Sequence, residues 1–126
     1  MLNQRYATAV TCRNNDDDPA ITWMKTNYHV DTIDIIAGQG MIGTLANDPE
    51  GKTTQAVLEK IMQSRNTHGS DLVAVIAHEG CTRDAASKET QYHYLNAASD
   101  HIYMTGYPGD IIRLWVSISG TVEQLP

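Results

Sequence analysis

Four short apolar runs, separated by segments with helical spacing, constrain the fold of this chain more than any other feature. The runs are Tyr6 to Cys12, Thr32 to Ala37, Leu72 to His78 and Ile111 to Ile118. They are rich in β-branched residues and end at polar residues or glycines, as buried strands do. The first three are nearly continuous in apolar residues, which is typical of parallel strands covered on both faces.

Helical segments are predicted between these strands. Asp18 and Pro19 form an N-cap followed by a proline at the first helical position. A second helix is expected around Val57 to Met62, ending before His68, and a third over Ala85 to Met104. The segment from Gly38 to Pro49 is rich in glycine and predicts a loop with a short helical turn. The order β-α-β-α-β-α-β predicts an α/β sandwich with a mainly parallel sheet of about four strands.

Length and composition limit the class of protein. At 126 residues the chain is expected to be one domain, residues 1–126. The net charge of -6, with no stripe of Lys and Arg, argues against a nucleic-acid partner. The longest apolar stretch is too short to cross a membrane, and the first ten residues do not have the pattern of a secretory signal. We therefore expect a cytoplasmic protein that does not bind membranes.

The two cysteines lie where chemistry is expected in an open parallel sheet. Cys12 ends the first strand, and Cys81 follows His78, the end of the third strand, by three residues. If these strands are neighbours, with the second strand outside the first, the three side chains converge at the carboxyl ends, where such sheets bind ligands. Two thiolates and an imidazole would suit zinc and leave a fourth position for water. The alternative is a pair of inert core thiols.

The order of elements and ligands resembles the β-class carbonic anhydrases. The resemblance rests on Cys12 after the first strand and on His78, Glu79, Gly80 and Cys81 after the third, and it extends from about Ala7 to Val122. It implies strand order 2-1-3-4 and a zinc ion bound by Cys12, His78 and Cys81. It also implies reversible hydration of CO2 to bicarbonate by zinc-bound hydroxide, and assembly into a homodimer or a larger homo-oligomer. The sheet edge, or the apolar residues Ile111 to Trp115, would form the dimer interface.

The sequence departs from that family beside the first cysteine. The family has Asp two residues and Arg four residues after it, a pair that orients zinc-bound water, whereas this chain has Asn14 and Asp16. Asp16 is the candidate substitute, as an acceptor for zinc-bound water or as a fourth ligand, and a solvated acidic loop is the alternative. Arg83 is the candidate for the missing cation, with a surface salt bridge as its alternative. Glu79 could support the ligands or simply point to solvent.

Three functions are consistent with these residues. The first is a zinc lyase acting on CO2. The second keeps the metal but hydrolyses another small electrophile, of the carbon disulfide or carbonyl sulfide type. The third is a zinc-binding module without catalysis. Gly38, Gly40 and Gly43 let a loop approach the metal closely or only form tight turns.

Overall fold

Helices and strands follow one another in the predicted order, with one additional helix and one additional strand. The computed structural model describes residues 4–80 and 87–126. Its elements are β1 Tyr6–Thr11, α1 Pro19–Tyr28, β2 Thr32–Ala37, α2 Met41–Asn47, α3 Lys52–His68, β3 Leu72–His78, α4 Lys88–Met104, β4 Asp110–Val116 and β5 Val122–Gln124.

The strands form one sheet in the order β2-β1-β3-β4-β5. The first four are parallel, and β5 runs antiparallel to β4. The predicted α/β class, the mainly parallel sheet and the order 2-1-3-4 are therefore confirmed, and a fifth strand is added. The fifth strand was not predicted because it has only three residues and two of them are exposed. β4 ends at Val116, not Ile118, because Ser117 to Thr121 form the turn that leads into β5.

Helices cover both faces of the sheet. Leu72, Ala74 and Ile76 of β3 pack with α1 in one apolar cluster. Val73 and Val75 pack in the other, against residues of α2, α3 and α4. This alternation is the ordinary period of two in a strand. The next residue in the first series is His78, so it lies on the α1 face of the sheet.

The helix boundaries follow local signals, with small differences from the predictions. Asp18 caps α1, with Pro19 at the first position, as predicted. α2 is a seven-residue helix where a loop with one turn was expected. α3 ends at His68, one residue beyond the prediction, and is capped by Gly69, whose φ of +72° suits glycine. α4 begins at Lys88, and residues 85 and 86 of the predicted helix lie outside the described part. Among the described residues, no helix combines the length and apolar character needed to cross a bilayer.

A buried polar cluster ties α3 to the sheet toward the amino-terminal ends of the strands. The Thr8 hydroxyl lies 2.8 Å from the hydroxyls of both Ser64 and Ser70. Ser64 in turn donates to Asp34 Oδ2 at 2.6 Å, and His68 Nδ1 lies 2.7 Å from the same oxygen. These contacts fix the end of α3 against β1 and β2.

The sheet edges are β2 and β5, not β4. Ile112, Leu114 and Trp115 of β4 are at most 8% exposed and pack within the chain. The apolar residues predicted as a dimer interface therefore serve this chain's own core. An edge-to-edge dimer would use β2 or β5.

Candidate metal centre

Cys12 and His78 meet at the carboxyl ends of two neighbouring strands. β1 and β3 pair in parallel, so the residue after β1 and the last residue of β3 come to the same edge of the sheet. Cys12 Sγ lies 3.3 Å from His78 Nδ1. Two zinc ligands at ordinary bond lengths and a tetrahedral angle are separated by roughly 3.6 Å. The pair is therefore spaced almost as two ligands of one ion would be.

Asp18 is a third group of this site, and the sequence analysis did not assign it there. Its Oδ1 accepts from the Ala20 amide at 2.9 Å, as an N-cap does, and its Oδ2 accepts from His78 Nε2. Both side chains are almost completely buried, with 4% and 3% of their surfaces exposed. The sequence did contain a signal for this contact. Asp18 is the N-cap of α1 and follows Cys12 by six residues, and α1 packs on the face of the sheet that carries His78.

The surroundings of Asp18 favour its charged form. Burial would raise the pKa of its carboxyl, but the hydrogen bonds from His78 and from the Ala20 amide outweigh burial. The electrostatic influence of His78 and Arg13 acts in the same direction. The pKa of Asp18 therefore lies below its ordinary value, and the site contains a buried carboxylate at neutral pH.

Gln91 holds the backbone of His78, and it too was missed. Its Nε2 donates to the His78 carbonyl at 2.9 Å, and its Oε1 accepts from Trp115 Nε1 at 2.8 Å. The side chain is 2% exposed. A polar residue on the buried face of α4, one turn before Leu95, was the available signal, because a buried amide must find partners.

A small cavity adjoins the candidate ligands. It has a volume of about 20 Å³ and is lined by Cys12, His78, Gln91 and the start of α2, including Gly40 and Gly43. This is room for roughly one water-sized molecule. Gly40 has a φ of +66°, which lets the chain turn into α2 at this point. The glycine-containing segment therefore approaches the site, as one of the two sequence interpretations expected.

The remaining predicted site residues lie elsewhere or outside the described part. Asn14 and Asp16 are exposed in the segment between Cys12 and Asp18. Among the described residues, no hydrogen bond joins either of them to Cys12 or His78. Cys81 and Arg83 fall in residues 81–86, outside the described part. Glu79 accepts from the Ile118 amide at 2.9 Å, so its carboxylate supports the turn after β4.

The donor chemistry fits a zinc ion. Within residues 4–80 and 87–126, no three His, Cys, Asp or Glu side chains form a complete metal set. Cys12 and His78 supply two ligands of the types zinc prefers, and Cys81 would be the third. The Thr11 hydroxyl, beside Cys12, is buried and has no hydrogen-bond partner among the described residues. A buried hydroxyl without a partner indicates a place for an ordered water or an ion.

Comparisons with known proteins agree with this fold. The sequence model of a family described as putative carbonic anhydrase matches residues 2–126. The crystal structure of the β-carbonic anhydrase CafA of the fungus Aspergillus fumigatus superimposes with a TM-score of 0.55. That superposition covers 97% of this chain and 76% of that one at 10% identity, so it supports the fold alone. No curated protein matches the sequence significantly. This chain belongs to the putative carbonic anhydrase family.

Proposed function

We propose that this protein is a zinc-dependent lyase that hydrates CO2 reversibly to bicarbonate. The observation that carries the proposal is the 3.3 Å approach of Cys12 Sγ to His78 Nδ1 at the carboxyl ends of β1 and β3. Cys12, His78 and Cys81 would bind the metal. Zinc, when bound, supplies an acidified water as nucleophile at neutral pH.

The cavity supports a small and apolar substrate. Besides Cys12 and His78, its lining includes Met41, Ile42 and Ile76, and its volume is about 20 Å³. A space this small and apolar favours a substrate of very few atoms over esters and peptides, which are far larger. Its apolar wall also removes bulk water from the reacting carbon. The same features suit carbonyl sulfide and carbon disulfide, so these are the competing substrates.

Residues around the metal ligands must help a bound water to lose its proton. Two thiolates offset the metal's formal charge of two, so they acidify water less than three histidines would. In the family pattern, an Asp and an Arg near the first cysteine assist; here Asn14 and Asp16 take those positions. We propose that Asp16, exposed to solvent, accepts the proton released from water and passes it to bulk. Arg83 would supply the cation.

Stopped-flow CO2 hydration with a pH indicator tests the activity. The reduced, zinc-replete protein should accelerate proton release, and Cys12→Ser and Cys81→Ser should abolish the acceleration. Asn14→Asp, which restores the family's acid, should raise the rate, and Asp16→Asn should lower it because it removes the proposed proton acceptor. Asp17→Asn, the same charge change in the same loop, should leave the rate unchanged. A wild-type protein that binds zinc stoichiometrically and leaves the CO2 rate at background would refute the lyase; sulfide release from carbonyl sulfide would then identify the hydrolase.

Removal of the metal tests the structural alternative. Circular dichroism after chelation should show the fold retained, because the apolar clusters on the two faces of the sheet do not include Cys12 or His78. Unfolding on chelation, as structural zinc sites show, would favour the non-catalytic module.

A further inference from the structure

The two ring nitrogens of His78 lie in different surroundings, one beside Cys12 and the other beside Asp18. We propose that Asp18 is a positioning residue that keeps the proton of His78 on Nε2 and so makes Nδ1 the nitrogen that binds the metal. The inference deepens the proposed function, on which its metal-binding part rests. The part that concerns the tautomer of His78 can be tested without any metal.

The hydrogen-bonding capacity of each group decides the position of the proton. A carboxylate accepts hydrogen bonds and cannot donate them, whereas a neutral imidazole has one N–H and one lone pair. Asp18 Oδ2 is the partner of Nε2, so Nε2 must carry the hydrogen. The lone pair is then on Nδ1, which lies 3.3 Å from Cys12 Sγ. The bond made by one ring nitrogen thereby selects the other as ligand.

Reversal of the ring would break this arrangement. A half-turn about the Cβ–Cγ bond places ring carbons where Nδ1 and Nε2 now lie. The buried Asp18 oxygen would then face a C–H group and lose its partner, which is costly for a carboxylate away from water. Both side chains are enclosed, so water cannot replace the lost donor. The observed orientation is thus fixed from the Asp18 side.

Asp18 is itself held firmly enough to serve this purpose. Its Oδ1 accepts from the Ala20 amide, and its own amide donates to the Asn15 carbonyl at 3.1 Å. Pro19 restricts the next backbone angle, and the amino terminus of α1 favours a negative charge at this point. The helix cap therefore supports the histidine, and α1 becomes part of the metal site without supplying a ligand.

Variants of Asp18 can separate capping from positioning. Asp18→Ser keeps an N-cap, because serine caps helices about as well as aspartate, but its hydroxyl is too short to reach His78. Asp18→Asn keeps the length of the side chain but has a single acceptor oxygen, so when that oxygen caps the Ala20 amide, its NH2 group faces His78 Nε2 and donates instead of accepting. Asp17→Asn is the matched control, since Asp17 is exposed and the same charge is removed one residue away.

The first measurement is made on reduced, metal-free protein labelled with 15N. Two-bond 1H–15N spectra at pH 8 distinguish the two neutral tautomers, and a His78→Gln variant identifies the His78 signals. We expect the Nε2–H tautomer in the wild type, a mixture in Asp18→Ser, and a shift toward the Nδ1–H tautomer in Asp18→Asn, whose NH2 group faces Nε2. A wild-type spectrum with the proton on Nδ1, or an Asp18→Ser spectrum identical to it, would overturn the positioning role.

The second measurement uses metal alone. Competition with a chromophoric chelator should show zinc affinity about 10–100-fold lower in both Asp18→Ser and Asp18→Asn, and unchanged in Asp17→Asn. In the protein loaded with 113Cd, scalar coupling should join the metal to Nδ1 of His78. Coupling to Nε2 would overturn the assignment while leaving the proposed zinc site intact. A wild-type protein that takes up neither metal would instead overturn the proposed function, and the tautomer spectra would still decide the role of Asp18.

Discussion

Replacing Gln91 by leucine should destabilise the protein by about 2.5 kcal/mol. The substitution nearly preserves volume but leaves the His78 carbonyl and the Trp115 indole N–H without the partners they have at 2.9 and 2.8 Å. Each buried polar group left unpaired costs about 1–3 kcal/mol. The greater apolar burial of leucine returns about 1–2 kcal/mol of that loss. For a chain of this size, the difference corresponds to a fall in Tm of roughly 10 °C.

Urea unfolding followed by circular dichroism measures the change directly. Gln63→Leu on the exposed face of α3 is the matched control and should stay within about 0.5 kcal/mol of the wild type. Trp115→Phe combined with Gln91→Leu completes a double-mutant cycle, in which the two losses should be non-additive by about 0.5 kcal/mol or more. Stability of Gln91→Leu equal to that of the control would refute the reasoning, since it would mean that neither hydrogen bond contributes.

Two further predictions concern the other end of the sheet. Ser64→Ala removes the 2.6 Å hydrogen bond to Asp34 and should lower the free energy of unfolding in urea by about 1–3 kcal/mol. Ser99→Ala, which loses only a hydrogen bond within its own helix, is the control and should lower it by less. Equal losses of stability in the two variants would contradict a role for the polar cluster. Burial raises the pKa of Tyr107, whose hydroxyl donates to the Ser70 carbonyl. At a pH above the ordinary pKa of tyrosine, the unfolded chain therefore loses this proton while the native state still holds it. Stability should therefore fall as pH rises through that interval, and Tyr107→Phe should flatten the decline between pH 9 and 11; an unchanged slope would contradict the assignment.

The elements that could be predicted are those whose signals are local. β3 is buried on both faces, so its apolar run identifies it whatever its neighbours are. Asp18 and Pro19 mark the start of α1 because capping is a matter of adjacent residues. β5 could not be found in this way, because its three residues form a strand only by pairing with β4.

The site was only partly predictable for the same reason. Cys12 and His78 could be brought together on paper because both lie at strand ends and the strand order was implied by the family resemblance. The second oxygen of Asp18 was not assigned, because its contact with His78 spans 60 residues and depends on where α1 crosses the sheet. Asp16 looked equally suitable by sequence distance from Cys12, yet it is exposed while Asp18 is buried.

By itself, the sequence determined the strands, the helix caps and the residue types available to a metal, since these depend on apolar periodicity and on neighbours along the chain. Only the tertiary structure decided which carboxylate of the run Asp16 to Asp18 meets the histidine, and which nitrogen of His78 faces Cys12. Those choices depend on distances of a few ångströms between elements far apart in sequence. The packing of α1 against the sheet sets them, and no local pattern encodes its position closely enough.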